Sequence, residues 1–276
     1  MASDSPLEIF TAAARDAGDW LRELQQENYR QREHGDDTAA DAASQRRIIG
    51  SLAAYAREQQ IPILAEEQTP EMQALQEEHR VELLVVGDDS HLPETYLSID
   101  PLDGSVKWKF WQYDWAVSIA LVQDGVPTAG VIYLPQYEKM FVAERGGGCT
   151  LNGERLPAPP QVELARALLA LDMCESVDAQ FDSDVNLPLT KACRYPVNLP
   201  SVAAVAGVIE GSLAACVSAN TRNWDVVAAA LCLQEVGGTF EPLAGGDMDW
   251  HLVKLPPLIG VTHQETLRTV RGALAI

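Results

Sequence analysis

Two carboxylates stand three residues apart around a proline in Ile99-Asp100-Pro101-Leu102-Asp103-Gly104-Ser105. Pro101 fixes its own φ and pushes Asp100 towards an extended conformation. The spacing therefore predicts a strand over residues 96–99 followed by a sharp turn. Gly104 tolerates dihedrals that other residues avoid and lets a ligand approach the backbone. A helix starting after Ser105 would aim its free N–H groups at the same corner, where they can hold a phosphate. Two acids this close repel one another unless a hard cation neutralises them. Mg²⁺ suits the place, because it takes oxygen ligands and accepts phosphate oxygens among them. The plain alternative is an Asp-Pro turn followed by ordinary Asp-Gly turn chemistry.

Three further segments carry acids that could join this corner. Asp225, in Asn223-Trp224-Asp225, directly precedes an alanine-rich helical run and could serve only as its cap. Glu66 and Glu67 end a predicted strand and could be a solvated acidic turn. Thr38-Ala39-Ala40-Asp41 could be only a capping box with its acid three residues on. Other patterns fit less well. Residues 149–155 match C-x5-R, but Asn152-Gly153 inside them marks a hairpin turn. Asp182-Ser183-Asp184 is similar to an aspartyl-phosphate nucleophile, but no buried apolar strand precedes it. The five histidines lack metal-ligand spacing, and there is no G-x-S-x-G or phosphate-binding loop.

The elements that must position these acids follow from periodicity. Apolar residues recur at helical spacing over 7–28 and 38–59, then a short strand is expected over 61–64. Residues 69–94 are mixed. Strands are predicted over 115–122, 129–134 and 140–144, joined by turns such as Asp124-Gly125. After the proline-rich residues 157–160 the composition shifts to Ala and Val. A helix over 201–210, a strand over 213–217 and a helix over 226–236 stopped by Gly237-Gly238 are expected there. The boundary divides residues 1–157, with helices, an antiparallel sheet and most of the acids, from residues 158–276, an α/β part with Asp225. The whole is a layered, mixed α/β fold.

Composition narrows the partners. With 276 residues and 47% hydrophobic content the chain can bury a full core. Forty acidic against 20 basic residues give a net charge of -20. That disfavours nucleic acid and anionic membranes, which both demand Lys and Arg. It would also repel a phosphorylated substrate unless cations sit in the site. Five cysteines without C-x-x-C spacing argue against a disulfide framework or zinc cluster and fit a reducing cytoplasm. No signal peptide and no apolar run of about 18 residues are visible.

Taken together, Glu66-Glu67, the Asp100 to Ser105 block, and Trp224-Asp225 with Ala228, Ala229, Glu235, Gly237 and Gly238 resemble the inositol monophosphatase family. The resemblance runs from about residue 38 to 238. It implies a Mg²⁺-dependent, lithium-sensitive phosphatase with a layered α/β/α/β/α sandwich of the sugar-phosphatase type, commonly a homodimer. Two or three Mg²⁺ ions would be held by Glu66, Asp100, the Leu102 carbonyl, Asp103 and Asp225. Asp41 and Ser105 would help activate the attacking water, and Glu67 would orient it. The N–H groups of Gly104 and Ser105 would bind the phosphate. Ser201, Ser218 and Arg222 lie in the region that faces the substrate's alcohol. Ala204 stands where bisphosphate nucleotidases tend to carry Lys, so a polyol phosphate such as inositol monophosphate is expected. A 3′(2′),5′-bisphosphate nucleotidase is the alternative, and a non-catalytic phosphometabolite-binding protein a more distant one. The sequence departs from the family in Gly35-Asp36-Asp37-Thr38, in Val106-Lys107-Trp108, and in residues 70–94, which read as an insertion over the site.

Overall fold

A computed structural model describes residues 5–174 and 177–274. Two long helices open the chain, α1 (Pro6–Gln31) and α2 (Asp37–Gln59). Pro6 begins α1 where its missing N–H costs nothing. The α2 cap is Asp36, whose Oδ1 accepts from the Ala39 N–H at 3.1 Å. Thr38 therefore lies inside the helix, and the capping box expected of it does not form.

Next come β1 (Ile63–Ala65), α3 (Met72–His79), β2 (Leu83–Leu84), β3 (Tyr96–Asp103) and α4 (Ser105–Lys109). They are followed by β4 (Ala116–Gln123), β5 (Val126–Leu134), β6 (Lys139–Glu144), β7 (Gly148–Leu151) and β8 (Glu154–Arg155). One sheet runs β2-β1-β3-β4-β5-β6-β7-β8, parallel from β2 to β3 and antiparallel beyond. β3 continues through Pro101 to Asp103 with a register shift against β4 between Asp100 and Asp103, where a turn after Ile99 was expected. Asn152 and Gly153 take positive φ between β7 and β8, which rules out a phosphate loop over 149–155.

The later elements are β9 (Leu168–Leu171), α5 (Ala179–Phe181), α6 (Leu187–Ala192), β10 (Tyr195–Val197), α7 (Ser201–Ile209), β11 (Ala215–Ser218), α8 (Asn223–Glu235), β12 (Thr239–Pro242), β13 (Leu258–Val261) and α9 (Gln264–Leu274). The second sheet runs β10-β9-β11-β13-β12, with β10, β9 and β11 parallel.

Period-two alternation sorts the strand side chains between layers. Leu97, Ile99, Val117, Ile119, Val131 and Tyr133 pack with Phe10, Leu21, Ile48 and Leu52 of α1 and α2. Their neighbours Tyr96, Ala116, Ala120, Ile132 and Leu134 take the other face and meet α7 and α8. In the second sheet, Cys216 and Leu258 join that same middle core, whereas Ala215, Val217, Ile259 and Val261 pack with Leu189 of α6 and Val270 of α9. The layers are thus α/β/α/β/α. Sandwiched between two sheets, α8 is apolar almost all round, as a fully buried helix must be. It approaches β5 so closely that a Cβ on Gly130 would lie 3.1 Å from the Ala228 carbonyl. No helix among the described residues is long and apolar enough to cross a membrane.

Candidate active site

The acids stand at element ends that converge between the two sheets. Ligands of such folds gather beyond the carboxyl ends of parallel strands. Here Glu66 follows β1, Asp100 lies within β3 and Asp103 ends it, Asp172 follows β9 and Ser218 ends β11. A cavity of about 470 Å³ opens there, lined by Glu66, Asp100, Leu102, Asp103 and Asp225 among others.

Helix α2 is tied to this corner at three points. Gln45 makes a paired contact with the Glu67 backbone, donating to its carbonyl at 2.8 Å and accepting from its N–H at 2.9 Å. Ser44 Oγ donates to the Pro101 carbonyl at 2.9 Å. Lys109 Nζ of α4 meets Asp37 Oδ1 at 3.0 Å. Asp41 is thereby held in the cluster, and oxygens of Asp41, Glu66 and Glu67 lie within 4.8 Å of one another. One oxygen of the buried Asp41, Oδ1, has no hydrogen-bond partner.

Helix α8 is fixed from the other side by buried Asn223. Its Nδ2 donates to Tyr96 Oη at 2.8 Å and to the Trp250 carbonyl at 3.1 Å, and its Oδ1 accepts from Ser98 Oγ at 3.1 Å. Asp225 lies in the first turn of α8, where it closes a capping contact on the N-cap residue Arg222. Its Oδ2 accepts the Arg222 N–H at 2.6 Å. Asp103 Oδ2 accepts from the Val202 N–H at the start of α7, at 2.9 Å. Asp100 Oδ1 accepts from the Leu102 N–H at 2.9 Å, which folds the Asp-Pro-Leu-Asp segment over its own carboxylate.

Burial and mutual repulsion push these carboxyls up. Desolvation is the largest cause at each. Asp41 rises to about 9, with Glu66, Glu67, Asp37 and Asp103 adding to it. Glu66 rises to about 8, helped by Asp225 and moderated by a hydrogen bond with Asp100. Asp103 rises to about 8, and Asp100 is raised as well, next by Glu66. Asp225 reaches about 6, held down by the Arg222 backbone and charge.

A model of the inositol monophosphatase family matches residues 4–272. The chain belongs to the inositol monophosphatase family. It is similar to an inositol-1-monophosphatase of Bacillus subtilis (strain 168), 29% identical over 162 residues, which are 58% of this chain and 61% of that protein. The chain thus spans about three fifths of the length of that curated relative. A solved inositol monophosphatase from Anabaena (Nostoc) sp. PCC 7120 matches with a TM-score of 0.77 at 25% identity, over 98% of this chain and 95% of the other. One from Zymomonas mobilis matches with a TM-score of 0.76 over 100% of both chains at 16% identity, a likeness of fold.

Within this family frame, Gly104, Ser105, Ser201 and Ser218 all line the cavity, as does Ala204. Gly104 takes φ 85° and α4 starts at Ser105. Arg222 does not line it. The guanidinium lies on Asp88, with Nε–Oδ1 and Nη2–Oδ2 both at 3.2 Å. The reason is the fold of residues 70–94, which do not cover the site. They add α3 and the edge strand β2, then dock on residues 249–255 through the His91–Leu252 bridge and the Leu92 N–H to His251 carbonyl bond of 2.7 Å. Three residues that sequence reasoning gave no role belong to the site: Lys107 and Asp172 line the cavity, and Asn223 anchors α8. Asn223 was signalled by a polar residue next to Trp224 at a helix start. Asp172 carried no signal, since its position depends on where β9 ends.

Proposed function

We propose that this chain hydrolyses the phosphate monoester of a small polar alcohol, most closely a polyol phosphate such as inositol monophosphate. The carrying observation is the cluster of carboxylates raised by burial and then by one another's charge, with Asp41 Oδ1 left without a partner. Such a set of hard oxygen donors fits Mg²⁺. Glu66, Asp100, the Leu102 carbonyl, Asp103 and Asp225 would hold two or three ions. When bound, they would lower the pKa of water and stabilise the leaving oxygen.

The chain's own groups then have defined tasks. Asp41, with a carboxylate oxygen that has no partner, accepts the proton of the attacking water, and the Ser105 hydroxyl assists. Glu67, tied to α2 through Gln45, orients that water. The N–H groups of Gly104 and Ser105 bind the phosphate. Ser201 and Ser218 receive the alcohol, while Arg222, paired with Asp88, steadies the start of α8. Lithium should compete for a cation position and inhibit most strongly when Mg²⁺ is limiting. Insensitivity under that condition would count against the assignment. Phosphate release from inositol 1-phosphate, a sugar phosphate and 3′-phosphoadenosine 5′-phosphate under Mg²⁺ tests the reading, and no turnover of any of them would defeat it.

A further inference from the structure

The cavity has two unlike walls. The acid cluster and α4 form one. The other is built from the ends of β9 and β11 and the approach to α7, and carries Asp172, Asn198, Ser201, Ser218 and Asn220. Asp172 is the one charged side chain on that second wall among the described residues. Lys107, the one cation lining the cavity among them, stands on α4 beside Ser105, on the phosphate side.

The Asp172 carboxylate is held in place. Its Oδ2 accepts from the Ala219 N–H at 3.2 Å, its Oδ1 from the Cys174 thiol at 3.2 Å, and its backbone carbonyl from Asn186 Nδ2 at 2.9 Å. Its charge reaches across the cavity, adding to burial in raising the Asp225 carboxyl. An ionised carboxylate only accepts hydrogen bonds. Hydroxyl groups on the departing alcohol can donate to it, and the Ser and Asn side chains around it complete a donor and acceptor set. A second phosphate on that alcohol is also anionic and can only accept, so it would meet repulsion in a partly dehydrated cavity.

We infer that Asp172 selects the leaving alcohol, admitting one that presents hydroxyl donors to this wall and rejecting one that carries a second phosphate there. The inference rests on the phosphatase reading above.

The test measures kcat/KM for inositol 1-phosphate and for 3′-phosphoadenosine 5′-phosphate in the wild type, Asp172→Asn and Asp172→Ser. Both variants remove the charge, and Asp172→Asn also keeps an amide oxygen as an acceptor for the Ala219 N–H; Asp172→Ser reads the same quantity if Asp172→Asn fails to fold. Inhibition by inorganic phosphate, which has no alcohol, is measured alongside. The preference for the polyol phosphate should shift towards the bisphosphate by about tenfold or more, because the bisphosphate gains while the polyol phosphate loses a partner. The inhibition constant of inorganic phosphate should hold steady. An unshifted preference, or an equal loss for both substrates, overturns the assignment of Asp172. So does a change confined to inorganic phosphate, which would give the residue to the acid cluster instead. If the wild type releases phosphate from neither of these nor from a sugar phosphate, the phosphatase reading falls and this inference falls with it.

Discussion

Asp41 holds a buried carboxylate oxygen without a partner, whereas Asp100, Asp103 and Asp225 each accept from a backbone N–H. An acid kept only to cap a helix would not be left so, and Asp36 already caps α2. Asp41→Asn should therefore lower kcat by roughly 10²-fold or more, the scale of losing general-base help, while the melting temperature stays or rises. A fall in melting temperature with unchanged kcat would make Asp41 structural. The raised carboxyls give a second expectation. Unfolded, such groups ionise near pH 4; folded and free of metal, Asp41 does so at about 9, and Glu66 and Asp103 at about 8. The folded state then binds more protons than the unfolded one, so its stability falls as pH rises through this window. Cations that displace those protons bind better at the upper end. Thermal melting with EDTA or Mg²⁺ should show a Mg²⁺ gain that grows from pH 6 to pH 9. A gain independent of pH would contradict the proton-displacement account.

Gly104 joins β3 to α4 and decides whether the two elements meet at the site at all. Its φ of 85° is one that L side chains rarely adopt, and a Cβ there would lie 2.6 Å from Pro200 Cγ and 3.0 Å from the Asp114 carbonyl. Gly104→Ala should cost about 1–2 kcal/mol in urea unfolding. It should also lower kcat/KM by at least tenfold, because Pro200 leads into α7 and its displacement moves the Val202 N–H that holds Asp103. Unchanged kinetics would show that this joint is loose. At this scale the sequence was unevenly legible. Asp100 to Ser105 announces itself, since proline and glycine restrict the backbone locally. Glu66 and Asp225 stand out only through the pattern they form with that block. The capping-box alternative at Thr38 does not hold, because Asp36 takes the cap position two residues earlier. The strand that continues past Pro101, the docking of residues 87–92 on 249–255, and the place of Asp172 depend on register and long-range contacts, which no local spacing encodes. Arg222 shows the consequence: its distance from Asp225 in sequence is informative, but Asp88, 134 residues away, sets where its side chain goes.

The whole molecule carries a net charge of -20, yet the reading requires it to accept an anionic substrate. The layered architecture does not resolve that conflict, and the one cation among the described residues lining the cavity is Lys107. Cations held by the acid cluster would resolve it, and every other part of the proposed mechanism depends on them. The direct measurement is phosphate release from inositol 1-phosphate by EDTA-stripped protein, before and after Mg²⁺ is restored, with Asp100→Asn in parallel. The account predicts no turnover in the stripped protein, recovery with Mg²⁺, and loss of that recovery in Asp100→Asn. Full turnover by the stripped protein, or by Asp100→Asn, would contradict it.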